Sequence, residues 1–433
     1  MSILNDFTDD VLQGMQEAHT YRTMRLLESP EASHVQIAAG AQNASDTVKS
    51  TLLLASNSYL DLCNEPSLKK AAADAVLKWG TGSGGARLTT GNKTPHEELE
   101  SVLANFKGEE AAITFGTGYM ANVGVISALC SKQVYERQDE NGIPSKIISE
   151  CIVFSDELNH ASIIDGIRLS KAKCIVYKHN DMADLQRVIS EARAAQPYEK
   201  VATRLLIVTD AVFSMDGDLA NLPKLQKIAK ENNCLLMIDE AHATGVIGKT
   251  GRGLAEHFND MGIPCEHADV TVGTLSKAIG CEGGFVVGKQ KLIDFLRNKA
   301  RSFIFTTAMS PAMAQAAANN LKFIENHPER VLQLQENVKI FWDALQKAGT
   351  IPDSNQSAIA PQSAIIPIII GDEAAALRAS AELLEKGILI PAIRYPTVAK
   401  GQARLRASLM ATHTKEELQD AATAIAAVLT RPH

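Results

Sequence analysis

The sequence predicts an α/β protein: a mainly parallel sheet flanked by helices, followed by a smaller C-terminal α+β domain. Three observations predict it. Short apolar runs alternate with amphipathic stretches through the middle of the chain. Several helix starts are chemically marked. From about Pro311 the pattern changes to long Ala-rich helices and a few further apolar runs.

Residues 10–30 read as a helix leading into an irregular arm, and Leu52–Ala55 opens the compact part. Ser67–Trp79 has helical periodicity, and Thr94-Pro95-His96-Glu97 combines an N-cap, a proline in the first turn and a capping-box Glu. The expected buried strands are Ala111–Phe115, Ile152–Phe154, Leu205–Val208, Cys234–Ile238, Val270–Val272 and Gly284–Val287. Met120–Leu129, Asp181–Ala194 and Pro223–Asn232 are helical patterns between them, whereas Ser131–Glu150 is polar, holds Gly142 and Pro144, and reads as a surface loop or excursion. Ser363–Ile370, Ile388–Ile393 and Arg404–Leu409 are strands of the smaller domain, and Thr414 to Glu417 form a capping box for a closing helix. The expected division is an N-terminal helix and arm over 1–55, a large domain over 56–310 and a small domain over 311–433.

With 45% hydrophobic and 21% charged residues in 433, the chain has material for a large core and lacks the composition of disorder. A net charge of −7 argues against broad nucleic-acid binding. No basic leader precedes an apolar stretch and no 18 apolar residues run together, so the expected location is the cytoplasm. Seven scattered cysteines without Cys-x-x-Cys spacing read as buried free thiols, with no metal site expected.

Three motifs are decoys. Gly80-Thr81-Gly82-Ser83-Gly84-Gly85 spells a dinucleotide fingerprint but follows a helix rather than a strand. Asp239-Glu240-Ala241-His242 spells a helicase box, yet the nearby Gly248-Lys249-Thr250 comes after it and leaves no room for the required unit. His96-Glu97-Glu98 lacks a second His one turn on.

Ligands of open α/β sheets sit beyond the carboxyl ends of the strands. Asp239 ends one expected strand there, and Lys277 follows another, with Thr274 before it and Gly280, Gly283 and Gly284 after it. A pyridine-based electron sink needs that pair: a lysine for the Schiff base and a carboxylate that keeps the ring nitrogen protonated. Thr117, Gly118 and Tyr119 lie between a strand and a helix, where free N–H groups favour a phosphate. Thr274 could add a hydroxyl, His160 could stack on the ring, and Ser214 and His242 could reach its oxygen.

At these residues the sequence resembles the α-oxoamine synthase family of fold-type I pyridoxal-phosphate enzymes. The likeness runs from Ser56 to His413 through Asn57-Ser58-Tyr59-Leu60, Gly82–Leu88, Thr117-Gly118-Tyr119, Asn159–Gly166, Val212–Gly217, Asp239–His242, Thr274–Lys277 and Gly401–Arg406. The resemblance implies an aspartate aminotransferase-like fold and a pyridoxal 5'-phosphate cofactor. It makes Lys277 the Schiff-base lysine and Cα base, and Asp239 the partner of the pyridinium nitrogen. His160 stacks on the ring, and Ser214 and His242 contact its oxygen. Thr117, Gly118, Tyr119 and Thr274 hold the phosphate, with Thr306 or Thr307 of a neighbouring subunit. It also makes Arg406 the substrate carboxylate anchor, with Asn57 reaching in from the neighbour and Arg25 and Thr397 near the substrate. The implied enzyme is a homodimer with shared active sites. Its implied reaction joins an amino acid to an acyl thioester, carried by coenzyme A or acyl carrier protein, with loss of carbon dioxide. Ile390–Val398 and Arg404–His413 resemble the biotin-pathway members, which join L-alanine to a pimeloyl thioester, and that is the expected reaction. Asp165–Lys173 and Met24–Pro30 instead resemble members that acylate glycine with acetyl-CoA, and long-chain amino-ketone synthases are the third possibility.

Overall fold

The computed structural model describes residues 3–17, 20–38, 49–138, 144–195, 202–351 and 361–430. Its strands are β1 (His34–Ile37), β2 (Lys49–Leu53), β3 (Ala111–Phe115), β4 (Gln133–Gln138), β5 (Pro144–Asp156), β6 (Lys173–Tyr177) and β7 (Ala202–Asp210). They continue with β8 (Leu235–Asp239), β9 (Val270–Thr274), β10 (Gly284–Gly288), β11 (Ile365–Gly371), β12 (Ile388–Leu389), β13 (Ala392–Ile393) and β14 (Ala403–Ser408). The main sheet runs β3-β10-β9-β8-β7-β5-β4, with β6 also on β5. β6, β5, β7, β8 and β9 pair in parallel, and β10 is antiparallel to both of its neighbours.

Alternate residues of the central strands enter opposite apolar clusters. Ile152, Phe154, Ile207, Leu236 and Ile238 pack into one, whereas Val153, Leu206, Val208 and Met237 pack into the other. Side chains alternate across a strand, so these continuous apolar runs are what a sheet covered on both faces requires. Burying each large side chain contributes about 1.5–3 kcal/mol.

Four expectations change here. Ser131–Glu150 is not a loop: β4 and the first half of β5 form an antiparallel ladder from Gln133↔Ser149 to Gln138↔Pro144, while residues 139–143 lie outside the described residues. Ile388–Ile393 is two strands, because Pro391 has no N–H to continue a ladder; β12 pairs in parallel with β2 and β13 pairs with β14. The helix Thr94–Lys107 is capped by His96, whose Nδ1 accepts the Lys93 N–H at 3.1 Å. Cys174 is exposed rather than buried, and all seven thiols are free.

The N- and C-terminal segments are interwoven: β2 sits between β1 and β12, while β11, β14 and β13 form a separate antiparallel sheet. Gly217, at φ 74, lies so close to β11 that a Cβ would stand 2.3 Å from the Ile365 carbonyl oxygen. That contact carries the 212–219 turn against the smaller sheet.

Candidate active site

β3 and β9 are both antiparallel to β10, so β3, β5, β7, β8 and β9 all deliver their carboxyl ends to one edge. Thr117, His160, Ser214, His242 and Lys277 follow those ends in turn. The edge is therefore a product of topology, and each side chain reaches it within a few residues of its strand.

Asp239 is buried, with Oδ1 accepting the Ala241 N–H at 2.8 Å and Oδ2 accepting the Asn122 amide at 2.6 Å. Its register partner on β7 is Asp210. Burial pushes the Asp210 carboxyl well above the ordinary range, the Asp239 charge adds to this, and the His160 N–H on its Oδ2 at 2.7 Å opposes it. Lys277 sits in the compact 275–283 turn, closed by Leu275 N–H to Gly283 O at 2.9 Å and Cys281 N–H to Leu275 O at 2.8 Å. Burial draws its ammonium down, against the pull of Asp239 and Asp210 and with the help of the Arg406 charge. The net lowering makes a free amine more accessible.

His160 lies at the start of the helix Ala161–Ser170, its Nδ1 2.7 Å from the Ser162 hydroxyl. His242 is buried with Nδ1 2.7 Å from the Tyr59 hydroxyl, which also donates to Asn57 Oδ1 at 3.2 Å. Burial holds His242 well below its usual range, and the charges of Lys277 and Arg406 act in the same sense. Tyr59 is pushed up to about 12 by burial.

Thr117 caps the helix Gly118–Cys130 by accepting Met120 N–H at 3.1 Å. The Gly118 and Tyr119 amides have no protein acceptor among the described residues, which is the arrangement that binds an anion. A Cβ on Gly118 would lie 3.0 Å from Thr274 Cβ, so glycine lets the cup and Thr274 meet. The Tyr119 hydroxyl itself turns outward to Asp165 at 2.6 Å.

Arg406 and Arg404 of β14 both grip the 212–219 turn. Arg406 Nε donates to the Ser214 carbonyl and its Nη1 to Ser408 Oγ at 2.8 Å, while Arg404 Nη1 donates to Asp216 at 2.6 Å. Asn57, expected from a neighbouring subunit, stands in this chain's own site, with Oδ1 3.4 Å from Arg406 Nη2. Backbone bonds fix it there, from Ser408 N–H to Leu54 O at 3.0 Å and Ala411 N–H to Tyr59 O at 2.8 Å. Thr306 and Thr307 line a small cavity with Arg87 and Gly116, beside the cup. Arg25 and Thr397 are exposed, and among the described residues no side-chain hydrogen bond ties either to these groups.

Sequence reading missed Tyr59, Asn122 and Asp210 as site residues. Asp210 carried a signal, since it ends its strand as Asp239 does; Tyr59 and Asn122 enter only through contacts across 183 and 117 residues.

The donor set fits one cofactor class. A carboxylate, a partly buried lysine and an anion cup on one sheet edge define a pyridoxal-phosphate-dependent transferase. The chain belongs to the aminotransferase class I and II family, whose model matches residues 49–425, and within it to the α-oxoamine synthases. It is 45% identical over 415 residues to an 8-amino-7-oxononanoate synthase of Lysinibacillus sphaericus, covering 96% of both chains. It is 42% identical to that of Thermoanaerobacter pseudethanolicus, over 96% of this chain and 95% of the relative. Among solved structures it is similar to Sphingomonas wittichii serine palmitoyltransferase (TM-score 0.83, 27% identity, 99% of this chain and 98% of that one). It is also similar to 8-amino-7-oxononanoate synthase from Francisella tularensis (TM-score 0.68, 31% identity, 87% and 97%).

Proposed function

We propose that the chain condenses L-alanine with a pimeloyl thioester, with loss of carbon dioxide, the 8-amino-7-oxononanoate synthase reaction of biotin synthesis. It does so as a cytoplasmic homodimer. The observation that carries this reading is likeness over nearly the whole chain to relatives of that name, at 42–45% identity, joined to a buried guanidinium, Arg406, beside Asn57 and Ser214.

When bound, pyridoxal phosphate supplies an electron sink for a carbanion at the amino acid's Cα. Lys277 holds the cofactor and takes the Cα proton, a task suited to an amine whose charge is disfavoured. Asp239 would offer its carboxylate to the ring nitrogen, and His160 would support the ring. His242, held by Tyr59, and Ser214 would hydrogen-bond the ring oxygen. The Gly118 and Tyr119 amides with Thr274 take the phosphate. Arg406 binds the substrate carboxylate and so orients the Cα–H bond.

The test is thiol release from pimeloyl-CoA and acetyl-CoA in parallel, each with alanine, glycine and serine. Release with pimeloyl-CoA and alanine is expected. Preference for acetyl-CoA with glycine would move the chain to the glycine-acylating members, toward which Asp165–Lys173 points.

A further inference from the structure

We propose that Asn122 is a positioning residue which, through the Ser162 hydroxyl, fixes His160 as the neutral tautomer carrying its proton on Nε2, while the same amide clamps Asp239. Asn122 is buried in the helix Gly118–Cys130, below the anion cup. Its Nδ2 donates to Asp239 Oδ2 at 2.6 Å and to Ser162 Oγ at 2.9 Å. The orientation of the amide follows from chemistry: an ionised carboxylate only accepts, so nitrogen, not oxygen, must face Asp239.

Both amide protons are thereby spent, and the Ser162 oxygen is an acceptor toward Asn122. The single Ser162 hydroxyl proton is then free for the other neighbour, His160 Nδ1, at 2.7 Å. The Ser162 backbone N–H also points at Nδ1, at 3.3 Å, and an N–H can only donate. Two donors on one ring nitrogen require it to be unprotonated, which leaves the ring proton on Nε2. Burial lowers the His160 titration in the same direction. The chain Asp239, Asn122, Ser162, His160 thus couples the carboxylate on one strand end to the ring on another through three hydrogen bonds.

The nitrogen assignment needs no cofactor; only the consequence for the reaction rests on the function proposed above. Ring nitrogen chemical shifts of His160 are read in the full-length protein labelled with 15N-histidine, with and without pyridoxal phosphate, and assigned by the signal lost in His160→Asn. Wild type is expected to show a pyridine-like Nδ1 and a pyrrole-like Nε2 at neutral pH. Ser162→Ala and Asn122→Ala are expected to mix the tautomers and raise the His160 midpoint by roughly one pH unit, the equivalent of one lost hydrogen bond. Ser162→Thr, which keeps the hydroxyl, is expected to retain the wild-type pattern. Asp239, Asp210, Lys277 and His242 face His160 in all of these proteins. A protonated Nδ1 in wild type would overturn the proposal, whether or not any variant folds. So would shifts and midpoint unchanged in both alanine variants. Failure of the wild type to bind pyridoxal phosphate would sink the cofactor reading instead, and leave the nitrogen shifts to judge this one.

Discussion

Asp210 and Asp239 stand side by side in register on β7 and β8, both buried, and among the described residues only the Asp239 carboxylate accepts from a side-chain amide. A carboxyl buried near another carboxylate's charge ionises less readily. Burial and the Asp239 charge raise Asp210, so Asp210 is the carboxyl that holds on to its proton. Asp210→Asn therefore preserves the charge pattern and should leave kcat within about tenfold, whereas Asp239→Asn removes fixed charge at the ring nitrogen and should cost on the order of 10²-fold or more. Steady-state rates of the two variants decide this; equal losses would show that Asp210 holds the charge.

Lys277 is expected to be the residue fixed to the cofactor by borohydride. Peptide mass mapping of the reduced protein should place the pyridoxyl adduct on Lys277, and Lys277→Ala should give none. An adduct persisting in that variant would reassign the site.

Behind Asp239, the buried Lys107 ammonium donates to Glu240, to the Arg252 carbonyl and to Thr244 Oγ1. Glu240 Oε1 in turn receives Leu254 N–H at 2.8 Å. Lys107→Met leaves Glu240 charged, buried and short of a partner, and should cost about 3–5 kcal/mol in urea unfolding. Adding Glu240→Leu should restore part of that loss, because the unpaired charge then disappears. No recovery in the double variant would place the cost in packing alone.

The strand edge and most of its polar residues were legible in the sequence because each belongs to a local unit, an apolar run followed within a few residues by the group it delivers. Asp239, Lys277, His160 and the Thr117 cup are of this kind. Tyr59 and Asn122 were not, since their partners His242 and Asp239 are joined to them only by folding. The split at Pro391 was visible as a proline, but the fact that its two halves join different sheets is set by β2 and β14, which lie far off in sequence. Ser131–Glu150 misled because a hairpin at a sheet edge carries polar side chains, as edge strands do.

Two histidines should give stability opposite pH slopes. His413 accepts Met410 N–H on Nδ1 at 3.1 Å and lies 3.0 Å from the Leu53 carbonyl through Nε2. Burial holds it at about 4 against an ordinary 6.5. The unfolded chain binds the proton first, so its contribution is full above pH 6.5 and drains away as pH falls toward 4, by about 3 kcal/mol. His179 is the reverse. Burial opposes its charge, but bonds to Asp156 at 3.0 Å and Asp218 at 2.9 Å overrule that and hold it at about 10. Its contribution is full below pH 6.5 and is lost as pH rises toward 10, by roughly 2–4 kcal/mol after allowance for partial exposure. Urea midpoints across this range should therefore peak near neutrality, with His413→Asn flattening the acid limb and His179→Gln the alkaline limb. The alkaline limb also concerns the site: Asp218 belongs to the turn that carries Ser214, and His179 packs edge-on against Phe213 at 4.3 Å between centroids. If His179→Gln leaves that limb unchanged, the imidazolium is not what anchors the Ser214 turn.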